Sequence, residues 1–188
     1  MDWNFNPRCQ NYYVHSNGSV PGPGVAVKRD WAVHTGATSE ISTDDPVYSQ
    51  AVIDWLKSQG AVPAEVHVTR ILQTDLEGDG VKEVLVAATY FASTVMPVSQ
   101  AGDYSVILLR KVVGNDLVTI PVVADFYISS IAEATYPNTY SLVDAIDLNQ
   151  DGKLEIAVGI SRWEGAGAAI YTISGDIVSR ALKTFCAG

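Results

Sequence analysis

Two short segments carry most of the chemistry in this 188-residue chain. Asp75, Glu77 and Asp79 stand at alternate positions, followed by Gly80 and, three residues later, by Glu83. Asp147, Asn149 and Asp151 repeat the arrangement, followed by Gly152 and Glu155. Alternate oxygen-bearing side chains on a loop curled by glycine can face one point. Calcium prefers such a set, six to eight hard oxygens at about 2.3–2.6 Å in forgiving geometry. A backbone carbonyl at Val81 or Lys153 falls between the side-chain ligands and the closing acid. Magnesium asks for a tighter octahedron and keeps its waters, and a zinc site would need thiolates or imidazoles that these loops lack. The expected ligands are therefore Asp75, Glu77, Asp79, Val81 and Glu83 in one loop, and Asp147, Asn149, Asp151, Lys153 and Glu155 in the other, with Ca2+ as the cofactor.

Charge argues the same way. Seven of the 21 acids sit in the two loops, against only Lys82 and Lys153 within them. Converging carboxylates repel, and without a cation they splay into water or take up protons. A bound divalent ion removes that conflict and stabilises the fold by linkage. The competing reading is an ion-free hairpin whose Asp side chains cap backbone N–H groups. Over the whole chain the net charge is −9 and the pI about 4.6. That sign repels phosphate backbones and anionic lipid, which argues against nucleic acid and membrane surfaces as partners. No apolar run approaches the roughly 18 residues that span a bilayer.

The elements that must hold these loops are mostly strands. Apolar and β-branched runs at 66–72, 83–90, 104–113 and 117–127 are matched by a second set at 140–146, 154–161, 168–174 and 177–184. Gly, Asn and Asp fill the gaps, and no helical pattern intervenes, so the strands read as antiparallel meanders. Before them, Asp45-Pro46 reads as the cap and first position of a helix. Tyr48, Val52, Trp55 and Leu56 give it one apolar face, and Gly60 ends it. The segment from Met1 to about Thr43, rich in Asn, Gly, Pro and Ser, reads as an extended arm with few regular elements.

The second loop begins 72 residues after the first (75 to 147), so the two sets are copies of one unit. Four strands per unit is the pattern of a propeller blade. The expected fold is mainly β: two four-stranded antiparallel, propeller-blade-like meander units with one N-terminal amphipathic helix. The arm and helix occupy 1–62 and the units 63–130 and 138–188, forming one compact domain with the helix. Two blades cannot close a ring, which typically takes four to eight. The chain is then a fragment, a partner for another copy of itself, or a pair of sheets packed face to face under the helix.

These loops are where the chain resembles the FG-GAP/VCBS repeat family, the calcium-loop propeller repeats also found in integrin α-subunits. The family loop, Asp-x-Asp-x-Asp-Gly-x-x-Asp, is matched by 75–83 and by 147–155, with Glu for Asp at both closing positions and Glu77 where a shorter residue is usual. No Phe-Gly followed by Gly-Ala-Pro is present. The resemblance covers roughly Val66 to Phe185. It implies a calcium ion held between the first two strands of a blade and an extracellular or cell-surface setting.

Other features are less specific. Trp163 and Glu164, on a Gly-rich loop, offer a sugar-stacking surface, although a Trp is more often packed against a neighbouring sheet. The longer equivalent in the first unit, 91–103, is a second candidate surface. His15, His34 and His67 make no metal-ligand spacing, and His67 reads as an exposed strand residue. Cys9 and Cys186, one near each end, would suit a disulfide in an oxidising compartment, or stay free thiols. Met1–Gln10 has no basic stretch followed by an apolar one, so no signal peptide is read there and a cytoplasmic setting stays open beside an extracellular or periplasmic one. No nucleophile-elbow, zinc-protease or phosphate-loop motif occurs. The expected function is a non-catalytic calcium-binding module for a protein or glycan surface. The alternatives are a sugar or peptide hydrolase on the same scaffold and a metal-free structural domain.

Overall fold

The computed structural model describes residues 36–93, 99–131 and 136–187. Nine strands and one helix follow in the order β1 Ser39–Ile41, α1 Pro46–Ser58, β2 Val68–Thr74, β3 Glu83–Tyr90, β4 Tyr104–Val113, β5 Asp116–Phe126, β6 Thr139–Ile146, β7 Glu155–Arg162, β8 Gly165–Ser174 and β9 Ile177–Ala187. They form a five-stranded sheet, β1-β2-β3-β4-β5, and a four-stranded sheet, β6-β7-β8-β9, each antiparallel throughout. The architecture is the mainly β one the sequence predicts, two meanders with, among the described residues, a single helix.

One addition lies within the segment read as an arm. β1, only three residues long, pairs Ser39 with Gln73 and Ile41 with Ile71, so the first unit has five strands and not four. Three residues show too little alternation to be read as a strand. An Arg70 guanidinium fastens it by donating to the Glu40 carboxylate, and also donates to the Leu142 carbonyl at 3.1 Å and to that of Val143 in the other sheet.

Alternation along β3 explains the layering. Leu85 and Ala87 point to one side, Val84, Val86 and Ala88 to the other, and all five are buried. A strand covered on both faces has no polar side, which is why 84–88 is an unbroken apolar run. β4 repeats the division, with Ile107 and Leu109 on the first side and Tyr104, Val106 and Leu108 on the second. The first side meets Leu142, Ile156, Val158, Ile160, Ala169 and Tyr171 of the second sheet. The second side meets Val52, Trp55 and Leu56 of α1. The molecule is therefore three layers, helix, sheet and sheet. The two blades bury their faces on each other without needing a ring or another copy to do so.

The helix forms where its signals stand. Asp45 is extended (φ −66°, ψ 116°), and its Oδ1 accepts the Val47 N–H at 2.9 Å, with Pro46 at the first position. Gly60, at φ +83°, turns the chain away just beyond Gln59. Trp55 meets Phe126 edge to face at 5.7 Å, anchoring α1 to the far strand of the sheet.

Candidate metal centre

Each Asp-rich loop joins the first two strands of its repeat: 75–82 joins β2 to β3, and 147–154 joins β6 to β7. Both follow one backbone path. The fourth and sixth residues of each are left-handed, Gly78 and Gly80 at φ +70° and +87°, Gln150 and Gly152 at +64° and +85°. Glutamine at a left-handed position costs roughly 1 kcal/mol over glycine. The first loop has no such choice, because a Cβ on Gly78 would lie 2.6 Å from the Gly152 carbonyl oxygen.

The first acid of each loop sets the curl. Asp75 Oδ1 accepts the N–H groups of Gly78 and Asp79, and its Oδ2 that of Gly80, at 2.7–3.1 Å. Asp147 makes the same three bonds, to Gln150, Asp151 and Gly152, at 2.6–3.2 Å. Asp79 and Asp151 accept the N–H two residues on, from Val81 and Lys153. The closing acids, Glu83 and Glu155, reach back to the N–H of Leu76 and Leu148 at 2.8 and 2.7 Å. Both lie almost wholly inside the protein. Five N–H bonds thus coincide between loops 72 residues apart.

The third position is where they differ. Asn149 stays in its loop, where its Oδ1 accepts the Asp151 N–H at 2.9 Å and its Nδ2 donates to Asp151 Oδ2 at 3.1 Å. Glu77 leaves its loop. Its Oε2 pairs with the Lys111 ammonium, and its Oε1 accepts the Gly175 N–H at 3.0 Å in the β8–β9 turn. Lys111 Nζ also donates to the Gly175 carbonyl at 2.9 Å. The pair therefore ties β4 and the first loop to the second sheet, with the Lys111 side chain only 5% exposed and that of Glu77 18%. Burial alone would raise the Glu77 carboxyl, but Lys111 and the Gly175 N–H outweigh it and hold it below its ordinary value. Glu83 goes the other way. Its burial raises it, and the Leu76 N–H and the more distant Lys111 charge offset only part of that.

The loops also touch. Leu154, at the end of the second, donates its N–H to the Leu76 carbonyl of the first at 2.8 Å, and both leucines are core residues. Asp75 and Asp147 line one cleft with Gly36, Lys82 and Gln150. Eight side-chain candidates and the backbones of Val81 and Lys153 are thus gathered at one end of the molecule. Among the described residues, however, no three His, Cys, Asp or Glu side chains converge closely enough to hold a metal in this arrangement. The cause is visible in the bonds above: the carboxylates face their own backbone. As donors they still suit a hard cation, since a carboxylate oxygen offers two lone pairs and the N–H bonds take only part of that capacity. In the second loop the third residue, Asn149, stays bonded to Asp151, whereas the first has committed Glu77 elsewhere.

Lys111, which draws Glu77 out of its loop, is the residue that sequence reasoning passed over. Its only signal was the Arg110-Lys111 pair near the end of the largely apolar stretch 104–113. Trp163 also departs from expectation: it is 58% exposed, at the first of the two turn residues between β7 and β8. His67 is exposed as expected and pairs with Glu65 at 2.8 Å. Of the loop 91–103, residues 94–98 lie outside the described residues, as do His15, His34 and Cys9. Cys186 is disulfide-bonded. Among the described residues no helix is long and apolar enough to cross a membrane. No family model, curated protein or solved structure matches the chain.

Proposed function

We propose that this chain is a non-catalytic calcium-binding repeat module, presenting a protein- or glycan-binding surface outside the cytoplasm. The observation that carries the reading is the identity of the two loops: the same left-handed positions and the same five N–H bonds on two different sheets. A loop already curled by its first Asp asks little backbone ordering of a ligand, so a cation has chiefly to turn side chains. In the second loop those are Asn149 and Asp151, whose mutual bond a hard cation replaces with stronger contacts. Asp147, the Lys153 carbonyl and Glu155 complete the donors there. Asp75, Asp79, the Val81 carbonyl and Glu83 stand at the matching positions of the first loop, which lacks its third residue because Glu77 is paired with Lys111. The oxidised Cys186 supports an oxidising compartment, where millimolar calcium is the ordinary condition.

The test is thermal unfolding in excess chelator and in millimolar calcium, with calorimetric titration for stoichiometry. Asp151→Asn is the informative variant, because the amide oxygen still accepts the Lys153 N–H while one ligand charge is lost. We expect calcium to raise the melting temperature of the parent chain, and this variant to lose most of that rise while melting like the parent in chelator. A parent chain with no binding heat and no shift overturns the reading and leaves both loops as capped turns.

A further inference from the structure

We infer that Lys111 is the resident cation of the first loop, so that the chain takes a single calcium ion, at the second. This rests on the calcium reading and adds to it which loop is used and why. The two loops agree in every bond except those of the third residue, and that residue has been drawn to a buried ammonium. Lys111 is held from two sides, by the Glu77 carboxylate and by the Gly175 carbonyl, with almost none of its side chain in water. It thus supplies, from inside the fold, the positive charge that the other loop would take from solution.

The second repeat has no equivalent lysine. In the first sheet Val84, which follows the closing acid, pairs with Arg110, and Lys111 comes next. In the second sheet Ile156, which follows its closing acid, pairs with Tyr171, and Thr172 comes next. The lysines within the loops themselves, Lys82 and Lys153, are both exposed, unlike Lys111. For an ion to recruit Glu77 to the first loop, the carboxylate must abandon a lysine that has no water to turn to. Breaking one side of a buried pair is costly for that reason. The second loop has no such obstacle.

The experiment is calorimetric titration of the full chain with calcium chloride, for the parent and for Asp151→Asn, Asp79→Asn and Lys111→Met. We expect one ion per parent chain, at least tenfold weaker binding in Asp151→Asn, and parent-like affinity in Asp79→Asn. In Lys111→Met the freed Glu77 rejoins its loop, and the count rises to two, with a larger calcium-dependent rise in melting temperature than the parent has. Two ions in the parent overturn this inference alone and leave the calcium reading intact, whereas none overturns both. One ion that is lost in Asp79→Asn and kept in Asp151→Asn places it in the wrong loop. A folded Lys111→Met that still takes one ion removes the role given to Lys111. If that variant does not fold, Glu77→Leu with Lys111→Met replaces the pair by apolar groups. It is expected to keep the single ion, and its loss overturns the assignment to the second loop.

Discussion

A side chain on Gly78 would start 2.6 Å from the carbonyl oxygen of Gly152, so the two Asp-rich loops are packed backbone against backbone. Gly80, at φ +87°, has the same conformational demand but nothing within 4 Å of its missing Cβ. Alanine at Gly80 therefore meets backbone strain alone, about 1 kcal/mol. At Gly78 it meets strain and a carbonyl that cannot yield without moving the second loop, and we expect a loss of about 2–4 kcal/mol. Chemical denaturation of Gly78→Ala and Gly80→Ala checks the difference. Equal losses would show that the loops do not lean on each other.

The buried carboxylates set opposite trends with pH. Glu77 is held below its ordinary value of 4.5, so the stability from its pair with Lys111 is present above that value and is lost as pH falls through its folded one. Glu83 is raised from 4.5, so its contribution is full below that pH and is lost as pH rises through its folded value. In chelator at pH 7 we expect Glu77→Gln to cost about 3 kcal/mol, because it leaves Lys111 buried beside a neutral amide. That deficit shrinks below pH 4.5, where the parent loses the pair as well. Glu83→Gln is expected to melt higher than the parent at pH 7, with the gap closing towards pH 4.5. Melting curves from pH 3 to 7 read both, and a deficit in Glu77→Gln that is unchanged with pH would remove the ion pair as its cause.

How much of this was legible in the chain depends on the range of the interactions. The helix was readable because Asp45, Pro46 and Gly60 act on their own neighbours, and the strands because burial on both faces of β3 and β4 makes their runs unbroken. The repeat was readable as two matching strings of acids. What no string contains is the partner brought in by packing. Glu77 looks like a ligand beside Asp75 and Asp79, and only the arrival of Lys111 from β4 and Gly175 from the second sheet removes it from the set. Nor does the sequence say that Leu154 will donate to Leu76, or that Gly78 is glycine on account of another loop. Trp163 was misjudged for the same reason: average burial of tryptophan carries no information about a particular turn.

Thr74, immediately before the first loop, is completely buried, and its hydroxyl finds no hydrogen-bond partner among the described residues. An unsatisfied buried hydroxyl costs about 1–3 kcal/mol relative to water, and a methyl in its place costs nothing of the kind. Valine keeps the β-branched shape that β2 requires. Thr74→Val is therefore expected to stabilise the chain by about 1 kcal/mol in chelator, read as a higher denaturation midpoint at unchanged slope. A loss of stability would mean that the hydroxyl is bonded in solution.

Cys186 lies on the last strand opposite Ala166 and is disulfide-bonded, and Cys9 is the chain's one other cysteine. A bridge between them would close a loop containing nearly the whole protein, the regime in which a cross-link restricts the unfolded chain most. Reduction, or Cys186→Ser, is expected to cost about 2–4 kcal/mol. Because the Asp-rich loops sit at the strand ends held by Leu76 and Leu154, and Cys186 pairs at the opposite end of β8 and β9, the two contributions should add. Unfolding of the parent and Cys186→Ser, each with calcium and with chelator, measures this. The expected result is the same calcium-dependent shift in both proteins. A shift that vanishes with the disulfide would mean that the bridge, and not Asp147 alone, holds the second loop in its binding shape.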